Sequence, residues 1–263
     1  MQRIWSLFTK PWPDLSFEGL GALASGLGFN AIEFPVRPGF QVTPGNAREA
    51  LPELARTLAK EGIAISSVAC APTESLFAAC REAGVPLIRI MVKGDPSLGF
   101  WDNLEAAKKH LDSLLPLCEK YGVKVGVQPH YGFTINTTME LRTLLEGLDP
   151  CHIGGIWDAA HSALAGETPA QALDIIGDRL LMVNLKNAYY KNVGTNADGS
   201  FQYKPYFTTG RQGASPWRAV AEELNKRGFD GPICMPAEYT EESRSDEFIR
   251  EDAGYARWLM GQQ

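Results

Sequence analysis

Short apolar runs and longer amphipathic runs alternate along the chain. Residues 4–8, 31–34, 63–68, 87–91, 123–128, 153–157, 180–185 and 232–235 are apolar stretches of four to six residues, and each reads as a strand. Helical periodicity follows them over 16–27, 47–61, 74–83, 103–121, 139–148, 169–176, 217–227 and 246–259. The 103–121 run is the clearest, with Leu104, Ala107, Leu111, Leu114, Leu115 and Cys118 on one face. Gly28, Gly62, Gly84, Gly122 and Gly228 follow helical runs and precede strands, as helix-terminating glycines do. Eight βα units in one chain predict an α/β protein, a single (β/α)8 barrel spanning 1–263 with no internal boundary. A doubly wound open sheet is the competitor. It needs a glycine-rich turn after its first strand, and Thr9-Lys10-Pro11-Trp12-Pro13 is not one.

Composition narrows the function classes. At 44% apolar residues the chain is not disordered, and 25 basic against 31 acidic residues give a net charge of −6. No basic cluster marks a nucleic-acid binder. No apolar run reaches the roughly 18 residues of a membrane span, and the first residues do not read as a signal peptide. Cys70, Cys80, Cys118, Cys151 and Cys234 are odd in number and never in CxxC spacing, which argues against a disulfide framework or zinc ribbon. Reduced thiols and a cytoplasmic location are the expectation, with a catalytic cysteine as the alternative.

In such a barrel the active site forms at the C-terminal ends of the strands. Polar residues recur there: Glu33 after the second strand, Lys93 after the fourth, Gln128 and His130 at the fifth, Asp158 and His161 at the sixth, Asn184, Lys186 and Asn187 at the seventh, and Glu238 after the eighth. Each also has a plainer reading. Glu33 suits an ion pair with Arg37, Asp158 a helix N-cap, and Lys186 or Glu238 a solvated surface. The recurrence at strand ends favours one shared cavity. His110, on an exposed helix face, and His152, before the sixth strand, are left out of it.

The motif order resembles the xylose isomerase-like TIM-barrel superfamily of sugar isomerases and epimerases. The matching segments are Val125-Gly126-Val127-Gln128-Pro129-His130, Trp157-Asp158-Ala159-Ala160-His161, Val183-Asn184-Leu185-Lys186-Asn187, and Gly228-Phe229-Asp230-Gly231-Pro232-Ile233 leading to Glu238. The resemblance implies a divalent cation (manganese, magnesium or zinc) held by Glu, Asp, His and Glu, and proton transfer through an enediolate. Asp158 and Glu238 match as metal ligands, whereas Gln128 and Asn184 stand where a glutamate and a histidine are expected. Uncharged amides are poorer donors for a hard cation, so weak metal binding or none is expected. Glu238, His161, His130 and Lys186 are then the catalytic candidates, and Glu33, Gln128, Asn184 and Arg211 the substrate-binding ones.

The segment 188–215 holds Tyr189, Tyr190, Phe201, Tyr203, Tyr206 and Phe207 among Lys191, Lys204 and Arg211. Its length suits a lid over a carbohydrate, and its aromatics also suit a homo-oligomer contact. The expected partner is a small carbohydrate, and neither nucleic acid nor membrane. An isomerase or epimerase acting next to a carbonyl is the first reading. A lyase or dehydratase on a keto-sugar, or a non-catalytic sugar-binding subunit, are the alternatives.

Overall fold

The computed structural model describes residues 3–261. Its barrel strands are β1 (Trp5–Phe8), β2 (Ala31–Pro35), β3 (Ala64–Ala69), β4 (Leu87–Ile90), β5 (Lys124–Val127), β6 (Ile153–Asp158), β7 (Leu180–Asn184) and, after an inserted hairpin of β8 (Asn187–Thr195) and β9 (Phe201–Thr208), β10 (Ile233–Met235). All eight pair in parallel in the order β1-β10-β7-β6-β5-β4-β3-β2, and the sheet closes on itself. The helices are α1 (Phe17–Gly26), α2 (Ala47–Ala59), α3 (Glu74–Ala83), α4 (Phe100–Tyr121), α5 (Thr138–Leu145), α6 (Ala159–Leu164), α7 (Pro169–Ile176), α8 (Trp217–Lys226) and α9 (Ser245–Leu259). The expected (β/α)8 barrel is therefore the fold.

Local chemistry sets the helix ends. Ser16 accepts the Gly19 N–H at the start of α1, and Thr137 with Glu140 forms a capping box on α5. Helices α3 and α4 stop at Gly84 and Gly122, whose φ values of 70° and 64° lie in the left-handed region that a side chain disfavours.

Two apolar layers hold the barrel. Phe8, Ala69, Leu87, Ile156, Met182 and Cys234 come from six different strands and touch one another, which places them inside it. The larger layer lies between strands and helices and includes Leu20, Leu54, Phe77, Trp157 and Ile176, all nearly inaccessible. Helices α5 and α7 approach β6 closely. A Cβ on Gly155 would lie 2.6 Å from Ile176 Cδ1 and 2.8 Å from Leu141 Cδ2, so any side chain there would force these neighbours to shift.

Two features depart from the sequence reading. The 188–215 segment is largely the antiparallel β8–β9 hairpin, paired from Asn187↔Thr208 to Thr195↔Phe201. The six-residue α6 also intervenes between β6 and α7. Among the described residues no helix is long and apolar enough to cross a membrane. All five cysteine thiols are free.

Candidate functional site

Side chains alternate faces along a strand, so a residue two beyond an interior position points the same way. Interior Phe8 thus leads to Lys10, Leu87 to Arg89, Ile156 to Asp158, Met182 to Asn184 and Lys186, and Cys234 through Pro236 to Glu238. Gln128 and His130 continue β5 in the same phase.

At the top of this set Glu238 accepts a hydrogen bond from Lys186 Nζ at 3.0 Å and another from Lys10 Nζ. Burial acts to raise its pKa. The two ammonium groups outweigh that and hold the carboxyl well below the usual range, so it is ionised. Ala237 precedes it with φ 53°, a left-handed conformation unusual for alanine. Lys186, with its side chain 9% exposed, also lies 4.1 Å above the Phe207 ring, which comes from β9. The hairpin thereby contributes one wall of the site.

His130 and His161 meet at 4.2 Å between ring centroids, flanked by Tyr131 and Phe207. His130 Nδ1 lies 2.8 Å from the Tyr131 carbonyl, which only accepts. Nδ1 therefore carries the proton, and Nε2 is the nitrogen left to take one. Burial lowers the His130 pKa, and the Lys186 charge adds to the effect. His161 is 1% exposed, and burial pushes its pKa down to about 4. Its Nδ1 is buried without a hydrogen-bond partner among the described residues. It is positioned by α6, whose first turn is capped by Asp158: Oδ1 accepts the N–H groups of Ala160 at 3.0 Å and His161 at 3.1 Å.

Beneath lies a buried polar chain. Arg89 Nε donates to Glu33 at 2.6 Å, its Nη1 donates to Gln128 Oε1, and Gln128 Nε2 donates to Asp158 Oδ2 at 2.8 Å. Ser67 Oγ also donates to Glu33. An amide is the group this middle position requires, because it accepts from a cation on one side and donates to a carboxylate on the other. Glu33 is thus paired with Arg89 and not with Arg37. The arginine reaches it from β4 across the barrel interior, a route that sequence adjacency does not reveal.

An open cavity of about 740 Å³ is lined by Lys10, Trp12, His130, Tyr131, Lys186, Phe207 and Glu238, among others. Of the expected site residues, His130, Lys186 and Glu238 line it. His161 packs behind His130. Gln128, Asp158, Asn184 and Glu33 lie buried below, with Asn184 Oδ1 lacking a hydrogen-bond partner among the described residues. Arg211 is elsewhere, stacked 3.8 Å over Tyr255 and 3.7 Å from Glu251, and it does not line the cavity. Asn187 ties the hairpin base to Gly210 and Ser215, and Lys93 is exposed. Lys10, Arg89 and Trp12 escaped the sequence reading, although the strand-end rule reaches Lys10 and strand phase reaches Arg89.

The donor set does not suit a divalent cation. Both Glu238 oxygens are on ammonium groups, the Gln128 carbonyl is on a guanidinium, and both Asp158 oxygens accept N–H bonds. Three fixed cations occupy the charge balance that a metal would fill. Among the described residues no three His, Cys, Asp or Glu side chains are grouped to hold an ion.

A family model described as xylose isomerase-like TIM barrel matches residues 22–258. The chain is 27% identical over 143 residues to an inosose dehydratase of Bacillus licheniformis, covering 52% of this chain and 47% of that protein. The chain thus spans about half the length of the curated relatives it matches. The fold superposes on the IOLI protein with a bound zinc atom at a TM-score of 0.76, with 15% identity and 99% and 98% of the two chains covered. It also superposes on D-psicose 3-epimerase with D-tagatose from Clostridium cellulolyticum H10 at 0.72, with 13% identity and 98% and 99% covered.

Proposed function

The chain belongs to the xylose isomerase-like TIM barrel family, and on that premise we propose that it moves a proton next to the carbonyl of a small keto-sugar or polyol-derived ketone, without a metal. The observation that carries this reading is the Lys10–Glu238–Lys186 cluster in one cavity with His130. His130 Nε2 removes the proton alpha to the carbonyl. The C–H electron pair forms the new C–C π bond, and the carbonyl π pair moves onto oxygen. Lys10 and Lys186 stabilise that oxyanion, as fixed charges do in a partly dehydrated site. Glu238 holds both ammonium groups in place. Trp12, Tyr131 and Phe207 offer flat faces to the apolar side of a sugar ring.

Return of the proton to the opposite face of the same carbon gives epimerisation. Return to the former carbonyl carbon, with the adjacent hydroxyl passing its proton to the oxyanion and becoming the new carbonyl, gives isomerisation. Loss of a β-hydroxyl instead, protonated by a lysine ammonium and leaving as water, gives dehydration. The dehydratase reading draws on the inosose dehydratases among the relatives. A reduced cytoplasmic setting agrees with the five free thiols. The test is proton NMR of ketoses and inososes incubated with the protein in deuterium oxide. Exchange of the alpha proton is expected, and His130→Gln is expected to slow it by about 10²-fold or more. Absence of exchange across the panel would overturn the reading.

A further inference from the structure

A second cavity of about 580 Å³ opens beside the ends of β2, β3 and β4, and Arg37, Cys70, Arg89 and His110 are among its lining residues. Among the described residues no carboxylate lines it. Arg89 is 7% exposed and uses Nε and Nη1 on Glu33 and Gln128, while Nη2 has no hydrogen-bond partner among the described residues. Arg37 is half-buried and its guanidinium makes no ion pair among them; it lies 5.7 Å over the Phe40 ring. Burial first, and the Arg89 charge second, oppose ionisation of Arg37, whereas Glu238 and Glu33 favour it. Lys10 and Lys186 are paired with Glu238 and Arg89 with Glu33, which leaves Arg37 the one of these four cations without an ion-pair partner among the described residues.

We propose that the cavity bearing Arg37 and Arg89 is a subsite for an oxyanion carried by the carbohydrate, a carboxylate or a phosphate ester. The Arg37 guanidinium and the remaining Arg89 Nη2 offer such a group positive charge and N–H donors. The inference rests on the carbohydrate reading of the neighbouring cavity, and it makes the substrate an acidic sugar or a sugar phosphate, with its carbonyl toward Lys186 and its anion toward Arg37.

Calorimetric titration with D-glucuronate, D-glucose 6-phosphate and D-glucose tests it. At least one anionic probe is expected to bind about tenfold or more tightly than glucose, and Arg37→Gln to abolish that preference, with Arg37→Lys restoring part of it. Preference for glucuronate assigns a carboxylate, and preference for glucose 6-phosphate a phosphate. Equal binding of charged and neutral probes, no binding at all, or a preference that survives Arg37→Gln overturns the subsite. The deuterium-exchange assay separates the two proposals. Exchange on neutral ketoses with no anion preference leaves the reaction standing and removes the subsite. An Arg37-dependent preference without exchange does the reverse.

Discussion

At the residue scale the site is governed by charge pairing. Lowered by burial, His130 stays neutral at physiological pH. The exchange rate is therefore expected to be flat through neutrality and to fall only on the acid side of about pH 6.5, the ordinary histidine value. A pH–rate profile checks this; an acid limb centred above neutrality would assign the titration to another group. Gln128→Glu with Asn184→His restores the ligand types that the sequence resemblance implies, and sequence alone suggests that this suffices for manganese. The geometry says otherwise. The new carboxylate at 128 would lie against Asp158, where the amide now sits at 2.8 Å, and Arg89 already occupies its other side. Calorimetry is expected to find no gain in manganese affinity for that pair. A gain of about tenfold or more, roughly 1.4 kcal/mol, is expected only when Lys10→Gln and Lys186→Gln free Glu238 as well. Strand ends point to Gln128, Asp158, Asn184 and Glu238 from the sequence alone, whereas the partner of Glu33 depends on which strands face each other across the interior.

At the element scale the β8–β9 hairpin and the loops that carry the site are anchored by one buried acid. Asp252 on α9 accepts the Gly210 N–H at 2.8 Å and the Tyr239 hydroxyl at 2.9 Å, joining three segments. Burial raises its pKa to about 7, with Glu251 adding to the rise and Gly210, Tyr239 and Arg211 opposing it. Its folded value exceeds its unfolded one, so the associated stability is complete below about pH 4 and is lost as pH rises through 7. Thermal melts of the wild type should therefore show a declining contribution over that window, and Asp252→Asn should remove it. Packing of helices on β6 gives a second expectation. Gly155→Ala forces a methyl against Ile176 and Leu141 and should cost about 1–3 kcal/mol in urea unfolding. The eight strand–helix units are legible because strands buried on both faces read as unbroken apolar runs and helices buried on one face repeat every 3.6 residues. The hairpin was not, because Tyr190, Val193, Phe201 and Tyr203 are exposed and its strands are stabilised by hydrogen bonding that apolar spacing does not report. Helix α6, at six residues, is too short to display a period.

At the scale of the whole molecule the barrel closes through β1 pairing with β10, in the register Trp5↔Ile233 to Leu7↔Met235. Lys10 follows the first of these strands and Glu238 the second, so the ion pair at the centre of the cavity joins positions 228 apart in sequence. Contacts of such separation form late, since loop-closure entropy opposes them until the intervening units are in place. Chemistry at this site therefore has a place in time as well as in space. Until the last strand docks, Glu238 is not beside Lys10 and Lys186, and the cavity comes into being with the final closure. In refolding experiments, recovery of activity should consequently trail the recovery of helical signal.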